Sequence, residues 1–353
     1  MSDTRIRVLG IGAGYFSQFH YEAWADHPEV ELVGIVDPDA GRREALAERF
    51  RAPRTFAAAE GALDATAPDL VDIITPPPTH LGLVSQTLRR RILTICQKPL
   101  CGGLAGAAEA VALAERHATP LIVHENFRFQ PWYRRIRAEI VAGRLGDVLQ
   151  IAFRLRPGDG AGPRAYLDRQ PYFQQMERLL VHETAVHFVD TFRYLMGDPD
   201  WVWADLRRLN PVIAGEDAGL IVFGYHDGRR ALFDGNRLLD HAARDRRFTM
   251  GEGLVEGTAA TIALDGDGGL LLRRHGADRG EHLNIATSDR FGGGCVAALQ
   301  AHVVDHILRD AALENEAADY VRNLEIVEAI YASAARGVRI DVPRHRVASE
   351  VTL

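Results

Sequence analysis

Five short apolar runs in the first third of the chain, at 6–11, 31–36, 70–74, 92–96 and 121–123, lack the polar alternation of a strand with one wet face. Segments of helical content, at 16–26, 40–50, 80–91 and 104–117, separate them. A strand that is apolar on both faces must be covered on both, and an intervening helix lets successive strands run parallel. The alternation therefore predicts a doubly wound parallel α/β sheet.

Beyond about residue 125 the pattern changes. Over 148–156, Leu149, Ile151, Phe153 and Leu155 alternate with Gln150, Ala152, Arg154 and Arg156. That is the signature of a half-buried strand in an antiparallel sheet. Strand-like runs follow at 202–209, 219–225, 230–235, 258–264 and 270–273, then long helical stretches at 294–309 and 317–336. The 353 residues are thus expected to form two domains, 1–124 and 125–353, the second of α+β type.

Composition narrows the partners. With 47% hydrophobic and 25% charged residues the chain reads as an ordinary globular protein. A net charge of −7 argues against nucleic acid and against an anionic membrane surface. Three cysteines, Cys96, Cys101 and Cys295, cannot make a disulfide framework and fit a reducing compartment. There is no 18-residue apolar run, and residues 1–7 lead into the first strand without a signal-peptide pattern. The expected location is cytoplasmic.

Gly12-Ala13-Gly14-Tyr15-Phe16-Ser17 joins the first strand to the first helix. It reads G-x-G-x-x-S, a dinucleotide-binding fingerprint with serine in its last small position. The first glycine permits the tight turn, and the second lets a pyrophosphate approach the backbone at the helix N-terminus. Asp37 ends the second strand 23 residues beyond Gly14, where a carboxylate accepts from ribose hydroxyls and repels a 2′-phosphate. NAD is therefore expected rather than NADP, although Arg42 and Arg43 stand close by. Thr75-Pro76-Pro77-Pro78-Thr79-His80 leaves the next strand at the ligand-bearing edge, which makes Thr75, Pro76 and His80 cofactor candidates.

Lys98 is the single lysine among 41 basic residues. A bias toward arginine explains the other forty and not the exception. An ammonium is a compact donor that an arginine fork does not replace. Lys98 follows Ile95-Cys96-Gln97 at a strand end, flanked by apolar residues, where it is a candidate acid–base group. A second group lies on a helix expected over 178–196. Val181, Ala185, Phe188, Phe192 and Leu195 form its apolar stripe, and Glu183, His187, Asp190 and Tyr194 the opposite side. Glu183 and His187, one turn apart, can pair so that the carboxylate orients the imidazole, but by pattern alone this side also reads as a solvated face. His182 and His187 are five apart, about 140° around a helix, and cannot share a zinc from one face. No metal is expected.

Taken in order, several features resemble the glucose–fructose oxidoreductase/inositol dehydrogenase (Gfo/Idh/MocA) family across essentially the whole chain. These are the Gly12-x-Gly14 turn with His20 in the helix after it, Asp37, Thr75-Pro76-Pro77, Lys98-Pro99, Glu183-x-x-x-His187 and Ala332-Ser333-Ala334. The stretches Ile95-Cys96-Gln97-Lys98-Pro99, His124-Glu125-Asn126-Phe127-Arg128 and Gln170-Pro171-Tyr172 look like the subgroup that contains D-apiose dehydrogenases. The resemblance implies a Rossmann domain followed by an α+β domain with a large, mostly antiparallel open sheet, through which a homodimer or homotetramer forms. It implies hydride transfer from a sugar, aldose or cyclitol hydroxyl to the nicotinamide. Lys98 would bond the reacting hydroxyl, His187 would be the base, and Glu183 would orient it and hold a neighbouring hydroxyl.

Two departures stand out: the family usually has E-K-P at Gln97-Lys98-Pro99 and D-x-x-x-H at Glu183-x-x-x-His187. The Glu183 helix also differs from the subgroup's D-L-G-I-H form. Gln97 keeps an acceptor for the cofactor ribose but removes a charge beside Lys98. With the fingerprint residues Gly12, Ala13, Gly14, Tyr15 and Phe16, the cofactor set then comprises Asp37, Thr75, Pro76, His80, Gln97, Lys98 and Asn126. The substrate set comprises Lys98, Glu125, Arg154, Tyr172, Glu183 and His187. Arg164, Tyr166 and Arg169 share with Tyr172 a Gly/Pro-rich loop at 157–175 suited to covering a polyhydroxylated ligand, and the two arginines also suit an acidic sugar. Two other functions fit the same fold: an NAD-recycling glycosidase or epimerase, and a dinucleotide-sensing regulator that would need neither Lys98 nor His187.

Overall fold

The computed structural model describes residues 5–343. The first four residues, part of the segment read for a signal peptide, lie outside the described residues. Two compact units form, and each is drawn from separated stretches of chain. The first runs through Arg135 and adds Tyr166–Tyr172 and Ile285–Leu324; the second takes Ile136–Ala165, Phe173–Asn284 and the chain from Glu325. The expected boundary at 124/125 thus falls inside the first unit.

The first unit is built on strands β1 (Ile6–Ile11), β2 (Val30–Val36), β3 (Thr55–Phe56), β4 (Leu70–Ile73), β5 (Leu93–Gln97) and β6 (Leu121–His124). All neighbours are parallel, in the order β3-β2-β1-β4-β5-β6. The connecting helices are α1 (Ser17–Asp26), α2 (Ala40–Phe50), α3 (Ala59–Thr66), α4 (His80–Arg89) and α5 (Leu104–His117). β3 and α3 were not foreseen, since a two-residue edge strand has no periodicity to read. The order reverses between β1 and β4, so the switch point where open sheets bind ligands lies between their carboxyl ends.

Helix α8 (Cys295–Arg309), from late in the chain, returns to this unit. Its Val296, Leu299, Val303 and Val304 join Ile6, Val8, Trp24, Leu70, Ile95 and Ile122 in one buried cluster. A polypeptide stretch far downstream is thus part of the first core, which no local pattern reveals.

The second unit holds β7 (Val148–Leu155), β8 (Trp201–Arg207), β9 (Ala218–Gly224), β10 (Arg230–Asn236), β11 (Gly251–Gly257), β12 (Ala260–Leu264), β13 (Leu270–Arg274), β14 (Glu281–Leu283) and β15 (Ile340–Asp341). They make one sheet, β14-β13-β12-β11-β7-β10-β9-β8-β15. Its neighbours are antiparallel except β7 and β10, which run parallel. β11, with three glycines in seven residues, carried no strand signal. Helix α6 (Pro131–Val141) was also unforeseen, whereas α9 (Ala317–Arg336) matches its expected span. In α9 the Ser333 hydroxyl is buried and accepts the Ala204 N–H of β8 at 3.0 Å.

The alternation in β7 holds with one exception. Ile151, Phe153 and Leu155 are buried, but Leu149 is exposed and Val148 buried in its place. The register against β11 shifts between Glu256 and Gly257, leaving Leu149 as the extra residue of a bulge.

Helix α7 (Val186–Met196) covers the inner face of this sheet. Phe188 lies 4.2 Å from the Phe153 ring and 5.1 Å from Phe233, and Phe192 lies 5.5 Å from Phe223. Truncating Phe188 to alanine is expected to cost about 3–5 kcal/mol, read as a lowered urea midpoint at unchanged slope. A loss below about 1 kcal/mol would mean that this aromatic stack does not hold the helix down.

Candidate functional site

The glycine turn is shaped by the approach of β1 to β4. Gly12 has φ +117°, and a Cβ there would stand 2.8 Å from both backbone C and O of Ile74. Only glycine fits. Gly12 N–H donates to Val36 O at 2.7 Å, and Ile74 N–H to Ile11 O at 2.7 Å, so three strand ends meet here. Beneath the turn the Tyr21 hydroxyl donates to Gly12 O at 2.7 Å. The serine in the last small position does more than stay small. Ser17 is buried and its Oγ donates to Gly14 O at 2.7 Å, closing the turn into α1.

Gly14 faces open space: a Cβ there would meet nothing within 4 Å. Asp37 holds the turn from the side, accepting from Ala13 N–H at 2.7 Å and from Asp39 N–H at 2.9 Å. Each carboxylate oxygen has a second lone pair for a ribose hydroxyl. The two nearby arginines are engaged elsewhere. Arg43 donates to the carbonyls of Asp37 and Pro38, and Arg42 pairs with Asp39 at 3.4 Å.

The rest of this edge is less uniform. Tyr15 is exposed, whereas Phe16 packs edge-on against Phe291 and His20. Thr75 and Pro76 form a turn in which Thr79 Oγ1 donates to Pro76 O at 2.8 Å and lies 2.7 Å from Thr75 Oγ1, whose hydrogen it can accept. His80 has no exposed surface; its Nε2 bonds Thr75 O at 2.8 Å, and burial, the larger influence, lowers its pKa. It shapes the turn from beneath. Asn126 is buried, and its Nδ2 has no partner among the described residues, which leaves a donor at the end of β6 for a bound group. The open space over Gly14 and this donor fit a dinucleotide.

Lys98 leaves the end of β5 with a cis peptide to Pro99. Its N–H donates to Gln97 Oε1 at 2.8 Å, so Gln97 turns into the protein. Glu125 is fully buried, accepts Phe127 N–H at 3.4 Å, and through its carbonyl takes Asn315 Nδ2 at 2.5 Å. Tyr172 is exposed and accepts from Gln170. Burial pushes the Cys101 thiol up to about 12 and raises Cys96 and Cys295 too, so none of the three is a ready nucleophile.

In the second unit the helix expected over 178–196 is two structures. Leu180–Ala185 is a π-turn, and α7 begins at Val186. Val186 N–H reaches back to Val181 O, five residues away. The extra residue in this turn re-aims Glu183 relative to His187, and π-turns recur at functional sites. Polar groups hold it at both ends. Glu216 accepts Val181 N–H at 3.1 Å and the Tyr331 hydroxyl at 2.6 Å, while its carbonyl takes Leu180 N–H. Arg237, 2% exposed, donates to Thr184 Oγ1 at 2.6 Å and to Asp159 Oδ2 at 3.0 Å.

The polar side of the helix is not a solvated face: His187 and Asp190 are buried, and Glu183 is half-buried. Arg154 is not with them. It lies on the sheet face opposite Phe153 and α7, and pairs with Glu252 at 3.8 Å. Glu216, Arg237 and Asp159 were missed, because nothing local marks an arginine beyond a strand end as buried. Asp72 had a readable signal, a lone carboxylate within an apolar strand, which must find a partner when buried.

Two substitutions should separate folding from binding. Gly12→Ala is expected to cost about 3 kcal/mol in urea unfolding. Gly14→Ala should stay within about 0.5 kcal/mol of wild type yet weaken NAD⁺ at least about tenfold in calorimetry, since its Cβ fills the space the pyrophosphate needs. Arg237→Met, which removes the ion pair with Asp159, should lose about 3 kcal/mol.

Residues 6–125 match the family model described as an oxidoreductase family with an NAD-binding Rossmann fold, and 133–262 match the GFO/IDH/MocA C-terminal domain. The chain is 33% identical to D-apiose dehydrogenase of Paraburkholderia graminis, over 96% of this chain and 90% of that protein. It is 28% identical to the D-apiose dehydrogenase of Rhizobium rhizogenes, covering 97% and 99%. An oxidoreductase from Agrobacterium radiobacter, solved with NAD⁺, L-tartaric acid and magnesium, superposes with a TM-score of 0.87 at 26% identity, covering 96% and 99%. The chain belongs to the Gfo/Idh/MocA family and is an NAD-binding oxidoreductase.

Proposed function

We propose that the protein is an NAD-dependent dehydrogenase that oxidises a hydroxyl of a sugar, aldose or cyclitol, with D-apiose the first substrate to try. The observation that carries this is the position of the only lysine. Lys98 sits just beyond the carboxyl end of β5, on the same sheet edge as the Gly12 turn and Asp37. Likeness to two D-apiose dehydrogenases over nearly the whole chain supports the choice of substrate. Asp37, with Arg42 and Arg43 engaged elsewhere, supports NAD over NADP.

When bound, the nicotinamide supplies the hydride acceptor. The Lys98 ammonium donates a hydrogen bond to the reacting oxygen and favours the alkoxide character that develops there. His187 takes the hydroxyl proton, and Glu183 orients its ring. In this reading residues 1–124 bind the dinucleotide, with Asn126 just beyond them. Residues 125–353 hold the substrate, through Glu125 and Tyr172 besides Glu183 and His187, and carry the oligomer surface.

We assign that surface to the outer sheet face. Trp203, Val222, Leu232, Ala152, Leu254 and Leu271 lie in one apolar row across it, none of them buried. A second copy of the chain would cover this row in a homodimer or homotetramer. Leu232→Glu should give a monomer by sedimentation, and an unchanged sedimentation coefficient would move the interface elsewhere.

NADH formation from NAD⁺, with NADP⁺ alongside, tests the activity on a panel of D-apiose, other aldoses, cyclitols and sugar acids. Turnover that Lys98→Met reduces on the order of a thousandfold would establish the dehydrogenase and its substrate class. Tight NAD⁺ binding without net reduction on any compound would favour cofactor recycling or dinucleotide sensing instead.

A further inference from the structure

Behind Lys98 lies a buried polar cluster that the proposed chemistry does not use. Asp72, in the middle of β4, has no exposed surface. Its Oδ2 is met by His20 Nδ1 at 2.8 Å and Trp24 Nε1 at 2.7 Å. A carboxylate only accepts, so His20 Nδ1 carries a hydrogen. On the far side of the ring, His20 Nε2 stands 3.0 Å from Gln97 Nε2. An amide nitrogen only donates, so this ring nitrogen accepts, and His20 is the neutral Nδ1–H form.

The other amide hydrogen faces His124 Nδ1 at 3.4 Å, on a ring whose centroid is 4.0 Å from that of His20. Lys98 N–H, donating to Gln97 Oε1 at 2.8 Å, fixes which end of the amide is oxygen. The Gln97 amide thus has a partner for its oxygen and for both hydrogens.

We propose that Gln97 is a positioning residue for Lys98. The chain Asp72–His20–Gln97, braced by His124, sets the exit of β5, and it does so only with an amide at position 97. The inference rests on reading Lys98 as the group that meets the substrate hydroxyl. A glutamate could still accept Lys98 N–H through one oxygen. Its other oxygen would stand where the amide nitrogen now donates twice, against the lone pairs of His20 Nε2 and His124 Nδ1. That arrangement is satisfied only when the variant carries one proton more than wild type, shared between His20 Nε2 and the glutamate, with His124 in its Nδ1–H form. Two titratable groups whose charge Asp72 opposes do not compete. Tyr21 of α1 and Cys96 of β5 have their pKa values pushed up, chiefly by burial, and stay neutral. Helix α8 contributes Gln300, which is uncharged and donates to His20 O.

Because the chain has one lysine, reductive methylation with ¹³C-formaldehyde labels Lys98 and otherwise only the α-amine. The Lys98 methyl resonance would be followed against pH in wild type, Gln97→Glu and Gln97→Met, with circular dichroism and NAD⁺ binding as checks on folding. In Gln97→Glu the resonance should match wild type in acid and move away as pH rises, with an inflection besides the lysine's own. In Gln97→Met it should be displaced at every pH. On a sugar that is turned over, kcat/KM should follow the same pattern, with losses on the order of tenfold to a hundredfold where the lysine is displaced.

Resonances and rates superimposing on wild type in both variants would overturn the proposal. If Gln97→Met does not fold, Gln97→Glu decides alone, since its partners are all satisfied in acid. Full turnover in Lys98→Met would instead sink the role given to the lysine, whatever the resonances do.

Discussion

The packing of one strand exit against another governs most of what the first unit does. β1 and β4 approach so closely beyond Ile11 and Ile73 that the chain between them can turn only through a glycine. That turn delivers the Ala13 N–H to Asp37 and starts α1 at Ser17, whose hydroxyl locks the loop. The result is a rigid, open notch at the point where strand order reverses. The open space over Gly14 is as much a product of the packing as the crowding around Gly12. β5 and β6, continuing the sheet on the same side, bring Lys98 and Asn126 to the same carboxyl edge.

The second unit solves a different problem. It holds polar groups, Glu183 and His187, in a segment that is otherwise largely buried, and the π-turn at Leu180–Ala185 loosens one turn of the backbone there. Leu180 and Val181 open the segment, so their N–H groups have no acceptor within it and need partners from outside. Glu216 supplies them at one end, and the Arg237–Asp159 pair grips Thr184 at the other. The aromatic stack of Phe188 on Phe153 and Phe233 then fixes the register of the regular helix that follows. Glu183 and His187 sit astride the junction between the two.

Much of this was legible in the residues. Continuous apolar strands announced the parallel sheet, and the Gly12 turn and Asp37 marked its ligand edge. What stayed hidden has identifiable causes. The return of α8 to the first core is a contact between residues far apart in the chain, and periodicity carries no such information. The π-turn escaped because the apolar stripe of Val181, Ala185 and Phe188, spaced four and three apart, does not tell a backbone bond to the fifth residue from one to the fourth. Arg154 was read from strand parity alone, which gives two faces without saying which one a helix covers. Gln97 was read as a ribose acceptor; its amide instead faces inward, because His20 and His124 leave lone pairs there that only a donor can meet.

In the function proposed, Lys98 meets both cofactor and substrate. With one lysine in the chain, an amine-acylating reagent followed by peptide mass spectrometry reads that site directly, with the α-amine as internal reference. Saturating NAD⁺ together with a sugar that is turned over should slow acylation of Lys98 on the order of tenfold or more while the α-amine rate stays constant. Equal acylation of Lys98 in the free protein and in that complex would contradict the account.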